Sequence, residues 1–255
     1  MADTSPADLA GYLLRLGDDR LVLGHRLSEW VGHAPILEEE LAIGNLALDF
    51  LDQASLLLER AGALLDPPRT ADELAFFRDV TGFRSALLVE QPNGDFAATI
   101  ARQFFFDAFD AHLGVALERS SDRPLVAFGA RAAKEAAYHL RHSREWTLRL
   151  GDGTDESHRR MQTAIDDLWM FTGELFEADD LVRRLVHAGV AVDPEIVRAP
   201  WRDEVVDTLR QAGLRMPNGE QPMRRGGRVG GHGETLGRLL SEMQSVARAH
   251  PGASW

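Results

Sequence analysis

The sequence contains no cysteine, and its only lysine is Lys134. Without thiols the chain cannot form disulfide bonds, thiolate-held iron–sulfur clusters, cysteine nucleophiles or cysteine-type zinc sites. Any metal ion would therefore have to be bound by carboxylates and imidazoles. Since nearly all basic residues are arginine, we interpret the arginine excess as a bias of composition rather than as a sign of chemistry.

Positive charge is also in short supply, with 28 basic residues against 40 acidic ones and a formal net charge of -12 at pH 7. Nucleic acid is not the expected partner, because binding phosphates needs a basic face. The N-terminal stretch "MADTSPADLAGYLLRLGDD" is acidic and has no long apolar run. The sequence predicts neither a signal peptide nor a transmembrane span, and we expect a cytoplasmic protein.

Alternating apolar and polar runs, the pattern of β-strands, are rare, and helix signals dominate. Ser5 and Pro6 predict the start of a first helix, Gly17 its end, and Asp18 the start of a second helix that continues to Trp30. Longer helices are predicted over residues 35–63, 95–119, 124–151 and 155–177, the last capped by Thr154. Four such helices with short connections indicate an all-α four-helix bundle.

Short helices are predicted at both ends of the bundle. Those after it cover residues 180–187, 194–212 (capped by Asp193) and 234–249, and a short piece at 72–79 lies inside it. We interpret residues 1–255 as one domain, with N-terminal helices at 5–32, a core bundle at about 35–178, and C-terminal helices with an Arg/Gly-rich loop at 180–250.

The stretch "KEAAYHLRHSREW", residues 134–146, places a carboxylate, a phenol and an imidazole on one helix face. The other long helices each carry an acid among apolar neighbours. The candidate site residues are Asp49, Asp107, Glu135, Tyr138, His139 and Asp166.

Bundles that hold two iron ions take ligands from two Glu-x-x-His pairs as well as two further glutamates. No glutamate in this sequence has a histidine three residues later. The missing pairs favour a polar core of hydrogen-bonded and ion-paired groups, the remnant of a former metal site, with Arg102, Arg131 and Arg141 as available partners. A self-sufficient di-iron oxygenase with unusual ligands is the alternative.

Three consecutive phenylalanines, Phe104 to Phe106, span about 200° around their helix. One bundle face cannot bury all of them. Either the helix is central or one of its sides meets another subunit, and we expect the contact with another subunit.

Long blocks of the chain closely resemble the C subunits of bacterial phenylacetyl-CoA epoxidases. They include "LVLGHRLSEWVGHAPILEEELAIGNLALDFLDQA", "LLVEQPNGDFAATIARQFFFDAF", "AIDDLWMFTGELF" and "GGHGETLGRLLSEMQ", and the match runs from about Tyr12 to Met243. The resemblance implies a ferritin-like bundle and a structural role without catalytic residues or a cofactor of its own.

The same resemblance implies partners. The homologous A subunit would carry the di-iron centre and the acyl-CoA site, and a reductase subunit with flavin and an iron–sulfur cluster would deliver electrons from NADPH. The complex would insert one oxygen atom of O2 into the ring of phenylacetyl-CoA, giving the 1,2-epoxide.

The segment "MRRGGRVGGHGE" places Arg224, Arg225 and Arg228 beside glycines. Guanidinium groups suit the phosphates of CoA, so these arginines are candidates for CoA contact or for contact with another subunit. A solvated loop is the third interpretation. If the segment binds CoA by itself, the chain would instead be an acyl-CoA-binding accessory module.

Overall fold

A computed structural model describes residues 5–217 and 222–253 of the chain. Over these residues the secondary structure is helical and contains no strand, which confirms the all-α prediction and is consistent with a ferritin-like helical bundle. The chain divides into two compact units. We call residues 5–92 with 225–253 the terminal unit, and residues 93–217 with 222–224 the central unit. The single-domain interpretation of residues 1–255 stays a prediction.

The α-helices of the described residues are, in chain order, α1 Pro6–Ser28, α2 Leu37–Ala63, α3 Ala71–Phe76, α4 Leu87–Glu90, α5 Phe96–Leu117, α6 Arg123–Gly151, α7 Asp155–Trp169, α8 Asp180–His187, α9 Pro194–Gln211, α10 Glu234–Met243 and α11 Ser245–Ala249. Short 3-10 helices lie at Val80–Gly82, Gly173–Phe176 and Gly227–Val229. Residues 218–221 of the Gly-, Pro- and Arg-rich segment lie outside the described residues.

Helix α1 runs without a break through Gly17, so the predicted stop at Gly17 and the second helix from Asp18 are wrong. Gly17 is instead a packing position, since a Cβ there would lie 3.0 Å from Leu58 Cδ2. Gly24 repeats the arrangement, with Leu51 Cγ at 2.9 Å from its missing Cβ. The two glycines let α1 and α2 pack closely along their length in the terminal unit.

Helix α5 is the centre of the central unit, where it packs against α6, α7 and α9. Phe104, Phe105 and Phe106 are all fully buried. Phe105 contacts Trp169 and Trp201, with ring centroids 5.8 and 6.1 Å away. The expectation that one side of this phenylalanine run meets another subunit is wrong, because the chain itself buries all three rings.

Most long helices begin and end close to the predicted residues, and the predicted caps Thr154 and Asp193 each accept a hydrogen bond from a backbone N–H of the helix they begin. Two predicted helices differ. The one over residues 234–249 divides at Gln244 into α10 and α11, and α7 ends at Trp169 rather than near residue 177. The Thr172 hydroxyl donates to the Trp169 carbonyl at 2.8 Å. A 3-10 turn at Gly173–Phe176 then replaces the last predicted turns of the α-helix.

Candidate functional site

Asp107 lies fully buried on α5, where two neutral side chains donate to its carboxylate. Gln103 Nε2, one turn earlier, donates to Oδ1 at 2.6 Å, and the hydroxyl of Ser143 on α6 donates to Oδ2 at 2.7 Å. The carboxyl group therefore links two helices of the central unit through hydrogen bonds.

Burial raises the pKa of Asp107 well above its ordinary value, although the hydrogen bonds from Ser143 and Gln103 act in the opposite direction. The nearby carboxylate of Asp110 raises the pKa further. Gln103 Oε1 is buried without a hydrogen-bond partner among the described residues. A protonated Asp107 can donate to Gln103 Oε1 only if the amide is turned by 180°, and the NH2 group would then occupy the place that has no partner.

The three candidates on α6 have different surroundings. His139 is fully buried, whereas Tyr138 is 45% exposed and lies beneath the guanidinium of Arg141 at 5.2 Å. The Glu135 carboxylate accepts from Arg131 Nε at 2.8 Å, one turn away on the same helix. Although these residues share a helix face, only the imidazole lies in the core.

Asp166 and Asp49 are half-buried, on α7 of the central unit and on α2 of the terminal unit. Asp166 accepts a 3.1 Å hydrogen bond from Gln162 Nε2. The same Nε2 also donates to the Arg215 carbonyl oxygen, and Gln162 Oε1 accepts from the Arg215 backbone N–H. In the part of the chain that the structure describes, no group of three or more histidine, aspartate or glutamate side chains could hold a metal ion.

The terminal unit contains a second set of buried charges, centred on the middle of α1. Asp19 is fully buried, and its carboxylate accepts from Arg228 Nη1 and Nη2 at 2.8 Å each and from the Ala86 backbone N–H at 2.7 Å. The neighbouring Asp18 forms a buried ion pair with Arg78 and accepts from the Arg84 N–H at 2.7 Å. Burial raises the pKa of Asp19, against the opposing effect of the Arg228 guanidinium.

His232 and Glu90 form another buried pair in this unit, with side chains exposed by 0% and 2%. His232 Nδ1 lies 2.8 Å from Glu90 Oε2, and Nε2 lies 3.1 Å from the Phe83 carbonyl oxygen. Both ring nitrogens lie beside oxygen atoms that can accept, so the geometry favours the imidazolium, in which both nitrogens donate. Burial disfavours that charge, but Glu90 and the Phe83 carbonyl outweigh it and raise the pKa of His232.

Comparison of the sequence with known proteins identifies the family of the chain. All residues from 1 to 255 match the family described as Phenylacetic acid catabolic protein. The chain belongs to this family. It is also 51% identical, over 247 residues, to the C subunit of the 1,2-phenylacetyl-CoA epoxidase of Escherichia coli strain K12, a match that covers 97% of this chain and 99% of that protein.

The alternative of a di-iron site in this chain was tested on the donor set described here, which does not fit one. Asp107 is held by an amide and a hydroxyl, and Glu135 is paired with Arg131. Two iron ions in such a bundle need several carboxylates and two imidazoles that converge on one place. That these positions once held metal stays an interpretation.

The charged cluster on α1 is the feature that the sequence interpretation missed. Its signal was visible, since Asp18, Asp19 and Arg20 follow one another inside an otherwise apolar stretch. The predicted stop at Gly17 made Asp18 the first residue of a new helix, where an acid needs no buried partner. The three arginines of the Arg/Gly-rich loop differ in their surroundings. Arg228 donates to the Asp19 carboxylate, whereas Arg224 and Arg225 are exposed.

Proposed function

We propose that this chain is the non-catalytic structural subunit of a phenylacetyl-CoA epoxidase complex acting in the cytoplasm. It pairs with a homologous A subunit that contains the di-iron centre and converts phenylacetyl-CoA, O2 and NADPH to the ring 1,2-epoxide. A reductase subunit with flavin and an iron–sulfur cluster supplies the electrons. The observation that carries this proposal is the similarity, over 97% of the chain, to a protein named as the C subunit of such an epoxidase.

The chemistry of the central unit supports the non-catalytic role. The fully buried carboxyl of Asp107 is occupied by Gln103 and Ser143, and its raised pKa favours a neutral group that would bind a cation poorly. The hydrogen bonds around Asp107 are therefore suited to holding α5 and α6 together. Arg224 and Arg225 remain the candidates for contact with the CoA ester or a neighbouring subunit.

The test compares the purified chain with its complex. The chain is expressed alone and with the homologous A subunit, each sample is loaded with ferrous iron and desalted, and iron per chain and phenylacetyl-CoA-dependent NADPH oxidation are measured with the reductase present. We expect iron and turnover in the complex and neither in the isolated chain. Near two irons per isolated chain, together with turnover, would make this chain an oxygenase in its own right.

A further inference from the structure

One side of α2 carries large apolar side chains that the chain leaves exposed. Leu37, Leu41 and Leu48 are exposed by 66%, 61% and 65%. At about 100° per residue they lie within about 40° of one another around the helix axis and cover about 17 Å of its length. Val31 and Ile36, which precede the helix, are also exposed, by 60% and 51%. Apolar side chains grouped in this way mark an interaction surface.

Gly44 lies between these leucines on the same side of α2. Glycine inside a helix is less favourable than alanine, so a glycine at such a position calls for a reason. Gly17 and Gly24 have one, because a Cβ at either would meet a leucine of α2 at about 3 Å. Among the residues that the structure describes, no atom lies within 4 Å of a Cβ placed on Gly44. Packing among the described residues therefore does not account for Gly44, whereas close approach of a helix from another molecule would account for it.

The charges beside the leucines indicate what kind of molecule binds. Glu38, Asp52 and Glu59 are exposed on the same side of α2, and the helix contains no basic residue before Arg60. A second copy of the chain would set these acids against one another in a two-fold interface. A partner with lysine or arginine around an apolar stripe would complement them.

A lipid surface fits this face less well than a protein does. By length and composition α2 is apolar enough to cross a membrane, but 44% of its apolar window is buried in the fold. Helices that lie on anionic membranes carry lysine and arginine on their polar side, and this side of α2 carries acids instead.

We propose that the face of α2 formed by Leu37, Leu41, Gly44 and Leu48 is the docking surface for the A subunit. The partner contributes a helix whose apolar stripe crosses α2 at Gly44 and is bordered by lysine or arginine. This inference rests on the proposed function, which names the partner. It adds the surface through which the two chains meet.

The experiment measures the dissociation constant between the full chain and the purified A subunit. Leu41→Ala and Leu48→Ala each remove an exposed side chain, and Gly44→Phe fills the space that the partner helix would enter. We expect an about tenfold weaker complex for each leucine variant and a larger loss for Gly44→Phe. Val115→Ala, which changes a 55% exposed side chain on α5, is the matched control and should bind like the wild type.

Each outcome bears on the proposal. If the wild-type chain binds the A subunit and all three α2 variants bind equally well, the docking surface is wrong while the proposed function stands. If the wild type does not bind the A subunit, both fail. Dimerisation of the wild type alone, or its binding to anionic vesicles, lost in the α2 variants, would assign the face to another occupant and overturn the proposal.

The variants must fold for these results to count, and the structure gives a check. Thermal melting of each isolated variant should match the wild type, because the changed side chains face open space. Gly44→Ala should melt at the same temperature or higher, since alanine favours the helix and meets no neighbour. A lower melting temperature for Gly44→Ala would show that Gly44 serves this chain's own fold, which overturns the proposal.

Discussion

Asp107 shows how burial changes the behaviour of a single carboxyl group. Its pKa in the folded chain lies well above the ordinary value of 3.8. Between these two pKa values the folded state keeps a proton that the unfolded state has lost, so the free energy of unfolding falls as the pH rises through this window. At neutral pH the charged form of Asp107 is therefore a source of instability.

Asp107→Asn should for this reason keep or increase stability at neutral pH. The asparagine carbonyl can accept from Gln103, and its amide can donate to Ser143, whose hydroxyl then donates to the His139 carbonyl 3.1 Å away. Asp107→Ala should lose about 1–3 kcal/mol because it leaves the Gln103 amide unsatisfied. Urea unfolding of both variants checks this, and equal losses in the two would contradict a neutral Asp107.

His232 should also make stability fall as the pH rises, in a window that begins at the ordinary histidine pKa of 6.5. Its pKa is raised from 6.5 in the folded chain, so its contribution is fully present below 6.5 and is lost as the pH rises through the folded pKa. His232→Gln should remove this decline, measured by urea unfolding from about pH 6 to about pH 9. His33→Gln, an exposed control, should keep it. A pKa of His232 below 6.5 by NMR titration would contradict the paired imidazolium.

At the scale of elements, the predicted end of α1 at Gly17 was wrong because glycine can either end a helix or allow two helices to pack closely. A glycine after an apolar stretch is a common signal for the end of a helix, and the sequence alone does not distinguish this use from close packing. The distinguishing fact is the position of Leu58 and Leu51 on α2, far away in the chain. The predicted end of α7 was also wrong. The hydrogen bond from the Thr172 hydroxyl to the Trp169 carbonyl depends on local geometry, which the periodicity of the sequence does not give.

The contact between α1 and the segment before α10 depends on Arg228. Arg228→Ala should cost about 3–5 kcal/mol, because it leaves the carboxylate of Asp19 buried without its main counter-charge. Asp19→Asn in the same chain should recover part of the loss, and a double-mutant cycle measures the coupling. Arg224→Ala, at an exposed arginine of the same segment, should change stability by less than about 0.5 kcal/mol. Equal effects of Arg228→Ala and Arg224→Ala would contradict this role.

At the scale of the whole molecule, the sequence predicted what depends on local pattern. Fold class, most helix bounds and caps such as Thr154 follow from periodicity and end signals. The lack of Glu-x-x-His pairs is a local pattern too, and it predicts a donor set unsuited to two iron ions. The partners of Asp19 could not be predicted, since Arg228 lies 209 residues away in the chain and nothing local pairs them.

That separation has a consequence for how the protein is made. Residues 225–253 complete the terminal unit that residues 5–92 begin, so Asp19 and Glu90 leave the ribosome long before Arg228 and His232 exist. Domains tend to fold as their residues emerge. The central unit, which is nearly continuous in the chain, can fold during translation, whereas the terminal unit waits for its last segment with charged groups still in water. Nascent chains that end before Arg225 are therefore the ones most dependent on chaperones.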